Sequence, residues 1–189
     1  DIDNSLRNSG LEFKSVPIKG QRILHALELF NQELKKSNYH YSPRTSIHVH
    51  FNVLDWTFEE VKKLLITYLV FEKLLYKFVG LGREKNIFCL PVLSSGTLEN
   101  LVPNLNSSFI QKTWSKYYGF NLGSIFQFGT IEIRHLGGTD DVPRIVSWIN
   151  LWFKMIEFIK RNSYKSLIET ITSLNTSSNY YGFSNNVFG

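Results

Sequence analysis

Thr45-Ser46-Ile47-His48-Val49-His50-Phe51-Asn52-Val53 alternates apolar and polar residues with a period of two. Successive side chains of a strand point to opposite faces. Ile47, Val49, Phe51 and Val53 therefore share one face, and Ser46, His48, His50 and Asn52 share the other. Thr130 to Leu136 repeats the pattern, with Ile131, Ile133 and His135 on one face and Thr130, Glu132, Arg134 and Leu136 on the other. Each strand thus carries one face fit for a core and one face of polar, ionisable groups.

Outward from these strands the pattern becomes helical. Ile23, Leu24, Leu27, Phe30 and Leu34 recur at about 3.6-residue spacing and predict a helix over 21–36. Thr57-Phe58-Glu59-Glu60 has the form of a capping box and starts a long helix that runs to about Val79, where Gly80 and Gly82 supply a stop. Thr139 or Asp140 can cap a further helix, with Pro143 in its first turn, running to about Arg161. A last helix is expected over 163–174. Shorter strands are expected at 11–16, at 86–90 and at 117–122, and a hairpin about Gly129 from 125–128 to 130–136. Residues 94–114 read as turns with a short helix. The tail, 175–189, is rich in Ser, Asn and aromatics; it is either disordered or held by Tyr180, Tyr181 and Phe183 against a neighbour. The chain reads as a single α+β domain over 1–174 followed by that tail.

The 189 residues are 43% apolar and 20% charged, enough for one domain with a core and too little charge bias for disorder. Val61 to Val79, the richest apolar stretch, is interrupted by Lys62, Lys63, Glu72, Lys73 and Lys77, so no membrane partner is expected. Cys89 is the lone cysteine, which excludes an intrachain disulfide and a Cys-rich zinc module. The net charge of +5 suits phosphate-bearing partners. The Lys and Arg residues form no tight cluster of the kind nucleic-acid binders show, which disfavours a nucleic-acid partner. The chain opens on Asp1 rather than Met, as a processed product or a fragment would.

His48 and His50, two residues apart on one strand, place their imidazoles on one face with Cα atoms roughly 6.6–7 Å apart. The pair suits a metal and a phosphate beside it, and equally a half-exposed polar strand face. Glu132 and Arg134 repeat that geometry: a carboxylate able to hold Mg²⁺ beside a guanidinium able to grip phosphate oxygens, or a simple surface ion pair. Arg83, after the glycine turn, either reaches a phosphate or solvates a loop. Phosphate-loop, nucleophile-elbow and dinucleotide fingerprints are absent. A His-x-His metallohydrolase would need a third His or Cys ligand that the sequence does not offer.

The ordered set of Leu11-Glu12-Phe13-Lys14-Ser15-Val16-Pro17, Ser46 to Asn52, Arg83 with Phe88-Cys89-Leu90-Pro91, Tyr117 to Leu122, Gly129 to His135, Gly138-Thr139-Asp140 and Trp148-Ile149 resembles the amidoligase family. That family is often phage-associated and belongs to the carboxylate–amine ligase superfamily, with glutamine synthetase. The resemblance, over about residues 3–160, implies a curved antiparallel sheet of glutamine synthetase type with helices on its convex face, and ATP and Mg²⁺ on the concave one. It implies Glu132 as metal ligand and catalytic residue, Arg134 as catalytic and phosphate contact, His48 at the metal, His50 facing the nucleotide, Glu12 as a further carboxylate and Arg83 as a phosphate or substrate contact. The implied reaction joins an amino-acid or peptide carboxylate to an amine through an acyl phosphate, in the cytoplasm. The family's first strand, with a Glu-x-Glu-like pair, would precede this chain. The alternative is a catalytically incomplete relative with an assembly role beside other chains of a phage particle, hence in the virion.

Overall fold

The computed structural model describes residues 6, 10–80, 82–95 and 105–189. Its sheet has three antiparallel strands in the order β1-β3-β2: β1 is Val49–Asn52, β2 is Phe120–Asn121 and β3 is Thr130–Ile133. Val49 pairs with Ile133 and His50 with Glu132 across β1–β3, and Asn121 pairs with Glu132 across β2–β3. Glu132 is thus flanked in register by His50 and Asn121.

Two long helices cover the apolar face of this sheet. Helix α1 is Arg22–Leu34, α2 is Phe58–Val79, α3 is Ser107–Thr113, α4 is Ser124–Phe128 and α5 is Val142–Arg161. The expected capping box opens α2: the Thr57 hydroxyl accepts from the Glu60 N–H at 3.3 Å, and the Glu60 carboxylate accepts from the Thr57 N–H at 2.7 Å. Helix α5 is capped by Asp141, one residue beyond the expected Thr139 or Asp140; its carboxylate accepts from the Arg144 N–H at 3.0 Å. From α2, Tyr68 stacks on Phe120 of β2 at 4.5 Å. From α5, Trp152 stacks on Phe120 at 5.7 Å and Phe153 meets Phe51 of β1 edge-on at 5.2 Å. The Trp148 and Trp152 pair and Cys89 are buried in this core, as their spacing and neighbours predict. Among the described residues no helix is long and apolar enough to cross a membrane.

Several expected strands take other forms. Residues 11–16 do not join the three-stranded sheet; Leu11, Phe13 and Val16 are exposed, and Phe13 packs edge-on against Phe30 of α1. Residues 86–90 turn instead of extending, because the Asn86 side chain accepts from the Phe88 N–H at 2.9 Å and its carbonyl from the Cys89 N–H at 2.9 Å. Only Leu90 of that stretch bridges to a neighbour, Tyr118. The strand expected over 117–122 shortens to Phe120–Asn121. No hairpin forms about Gly129: residues 124–128 close into α4. Asn121 accepts from the Gly123 N–H at 2.9 Å to start the turn, and Gly129 ends it with φ +66°, where a side chain would be strained. Residues 96–104 of the stretch expected to mix turns with a helix lie outside the described residues; α3 supplies the helix of its second half.

Leu136 is buried, although strict alternation sets it beside Glu132 on the polar face. The register gives the reason. Ser46 pairs with Gly137 while Val49 pairs with Ile133, so one extra residue sits on the β3 side between these pairs. This β-bulge lets His135 and Leu136 both point inward. The Arg83 guanidinium closes the bulge, donating to the His135 carbonyl at 2.8 Å and the Arg134 carbonyl at 3.1 Å.

The last helix of the sequence reading is α6, Tyr164–Thr172, and the tail is ordered as α7, Ser177–Phe188. Phe183 stacks on Phe71 of α2 at 5.2 Å and meets Phe158 of α5 at 5.6 Å, while Tyr181 remains exposed. Phe183→Ala should therefore destabilise the chain by about 3 kcal/mol or more, the cost of a large-to-small change in a packed site. A urea melt checks this; an unchanged midpoint would show that α7 docks without contributing to the core.

Candidate active site

Glu132 is the centre of the polar face. It is buried, with 6% of the residue exposed, although it stands on the face turned away from α2 and α5. Its Oε1 accepts from Arg134 Nη1 at 2.7 Å and lies 3.0 Å from His48 Nδ1 and 3.7 Å from His50 Nε2. Its Oε2 accepts from Asn121 Nδ2 at 2.7 Å and from the Ser124 hydroxyl at 3.2 Å. The outer ring is held in turn. His50 Nδ1 is 2.8 Å from the Thr130 hydroxyl, and Arg134 Nε donates to the Phe88 carbonyl at 3.2 Å. The turn at Asn86 brings that carbonyl to Arg134, and the residue pairing of β1 and β3 brings both histidines to Glu132.

The structure gathers His48, His50, Glu132 and Arg134 as the two strand patterns predict. Glu12 stands apart from the hydrogen-bonded set: it pairs with Lys14 at 2.9 Å and reaches His50 by its charge. Arg83 is at the neighbouring bulge, with its guanidinium on the carbonyls of His135, Arg134 and Pro43. Sequence reading overlooked Asn121, Ser124 and Thr130 as parts of the site. Asn121 carried a signal, since Asn is depleted in strands and stands there between apolar Phe120 and Leu122.

Burial acts to raise the Glu132 pKa, but the His48 hydrogen bond, the Arg134 charge and the Asn121 amide outweigh it and hold the carboxyl down at about 2. Burial lowers His50; the charges of His48 and Arg134 act with it and that of Glu132 against it. On the opposite face burial, helped by the Arg83 charge, holds His135 neutral with its pKa lowered to about 3.

A carboxylate offers roughly four lone-pair sites. Those of Glu132 are taken by Arg134, His48, Asn121 and Ser124. Among the described residues no group of three or more His, Cys, Asp or Glu converges in a way that could hold a metal ion. Among the described residues the Glu132 carboxylate therefore offers Mg²⁺, which is usually held by one or two carboxylates together with waters and substrate phosphates, no oxygen that is not already hydrogen-bonded. What these residues form is a charge-balanced face with Glu132 inside and the imidazoles and guanidinium around it.

Both depressed pKa values make acid destabilising. Unfolded, His135 takes up a proton below about pH 6.5 and Glu132 below about pH 4.5. In the fold they resist until about 3 and about 2. Stability should thus be full above pH 6.5 and fall through the His135 window first and the Glu132 window next, the latter contributing about 3 kcal/mol. Urea melts from pH 7 to pH 3 measure it, and His135→Gln should shrink the loss between pH 6.5 and 4.5. A flat profile across that range would contradict the burial assigned to His135.

The family model described as "Putative amidoligase enzyme" matches residues 3–156, which take in all three strands and end inside α5. Neither the comparison with curated proteins nor that with solved structures finds a match. The model spans most of the chain and includes Glu132, Arg134 and both histidines of the polar face, and on that match the chain belongs to the amidoligase family.

Proposed function

We propose that the chain is an ATP-dependent carboxylate–amine ligase whose reacting groups meet at the Glu132 face. Family membership supports ligase chemistry. The observation that carries the reading is the convergence of His48, His50 and Arg134 on one buried carboxylate, brought together from two strands far apart in sequence. In this reading the three-stranded sheet is the centre of a glutamine synthetase-like arrangement, with the polar face turned to the nucleotide.

The proposed reaction has two displacements. An oxygen of an amino-acid or peptide carboxylate attacks the γ-phosphorus of ATP, forming an acyl phosphate and releasing ADP. The nitrogen of an amine then attacks the acyl carbon, phosphate departs, and the nitrogen gives up its proton to form the amide. Such chemistry calls for charge neutralisation and positioning more than for a protein nucleophile. Arg134 neutralises charge on the transferred group, with His48 and His50 beside it. Magnesium enters this reading only with the nucleotide phosphates, and no step is derived through it.

One observation favours a second reading, an assembly role without catalysis: a carboxylate saturated by its own chain is also what a structural tie requires. Turnover separates the two. ADP release that depends on both an added carboxylate and an added amine, and that falls at least about a hundredfold in a folded Arg134→Ala variant, is expected of the ligase. Absence of ADP release from the wild-type chain across amino-acid and peptide carboxylates would leave the assembly reading, and full turnover in Arg134→Ala would remove Arg134 from the reaction.

A further inference from the structure

We infer that Glu132 is a positioning residue, the built-in counter-charge of an anion-binding face, and that this face takes up phosphate-type oxygens through Arg134 and His48 without a divalent cation held by the protein. The inference rests on the reading of this face as the phosphate-handling site, and it specifies how that site works.

Glu132 is fixed from behind. Its Oε2 is held by Asn121 Nδ2 and the Ser124 hydroxyl, and Asn121 is itself locked because its Oδ1 accepts from the Gly123 N–H. In front, a single oxygen, Oε1, accepts from Arg134 Nη1 at 2.7 Å and faces His48 Nδ1 at 3.0 Å. Both groups are thereby tethered to the same oxygen. Their remaining nitrogens, Arg134 Nη2 and His48 Nε2, make no hydrogen bond among the described residues. Planar guanidinium nitrogens bind phosphate oxygens in a defined direction. Thr130 and Phe88 hold the rest of the ring, through His50 Nδ1 and Arg134 Nε.

A cation fits this geometry poorly. To reach Oε1 it would have to displace a guanidinium at 2.7 Å, and while Arg134 stays in place like charges repel strongly at such separations. An anion meets the opposite situation. Glu132 already neutralises Arg134, which is how a cationic group is kept buried. An incoming phosphate oxygen then adds a bond from Arg134 Nη2, and one from His48 Nε2 where the imidazole carries a proton on both nitrogens, without disturbing the bonds to Oε1.

The test is calorimetric titration of the full chain with inorganic tripolyphosphate, in EDTA and in magnesium. The expected result is binding in EDTA, lost by about tenfold or more in Arg134→Gln, since a charge-assisted hydrogen bond is removed. In Glu132→Gln the cation-free binding should tighten by a few-fold, because a negative charge next to the anion is gone. Binding that needs magnesium, or that vanishes in a Glu132→Gln variant with a cooperative melt, would overturn the inference. Should Glu132→Gln fail to fold, the wild-type comparison between EDTA and magnesium decides alone. Failure here alongside carboxylate- and amine-dependent ADP release would remove the counter-charge role and leave the ligase reading standing. Cation-free tripolyphosphate binding without any turnover would do the reverse.

Discussion

The buried charge of Glu132 constrains everything around it. An ionised carboxylate withdrawn from water costs several kcal/mol unless its oxygens are fully hydrogen-bonded. Here the donors come from four places: His48 just before β1, Asn121 on β2, Ser124 on α4 and Arg134 just after β3. None of these is adjacent to all the others in sequence, so the carboxylate is satisfied only when the strands are paired in one register. A one-residue slip of β1 against β3 would turn the histidines to the core and Ile47 and Val49 to the polar face. The interaction that specifies the register and the one that assembles the candidate site are therefore the same.

The opposite face supports this arrangement by packing. Tyr68, Phe120 and Trp152 form a stacked set that ties β2 to both α2 and α5. Gly119, just before β2, lies so close to Tyr76 and His135 that a Cβ would come within 2.5 Å of the Tyr76 hydroxyl, and only glycine fits there. The bulge after β3 ends the alternation and sends His135 and Leu136 inward together. Arg83 keeps that distortion from exposing unpaired carbonyls in a half-buried place. Its positive charge does work on the fold at this point, one strand-end away from the site where its sequence position first placed it.

The two strands with ionisable faces, the capping box of α2, the extent of α5 and the burial of the tryptophan pair all follow from local pattern. Each depends on residues within a turn or two of one another, and periodicity reports such relations directly. Other elements escaped local reading for a specific reason. Ile125 to Phe128 has strand-like residues, but the side chain of Asn121 and the left-handed Gly129 close it into a helical turn. Leu11 to Val16 has the composition of a strand, but does not join the sheet. The polar tail becomes a helix because Phe71 and Phe158 provide a surface for Phe183.

The sequence by itself determined the α+β class, the side of each main strand on which charge would lie, and four residues of the site, because side-chain alternation is a property of the backbone and needs no partner. Only the tertiary structure decided that these residues converge on one carboxylate oxygen, that Asn121 and Ser124 fill the other, and that Arg83 lies on the carbonyls of the neighbouring bulge. Those facts depend on strand register, on a single-residue bulge and on which carbonyls are left to satisfy. Hydrogen-bond saturation is a sum over residues distant in sequence, and no local pattern carries that sum.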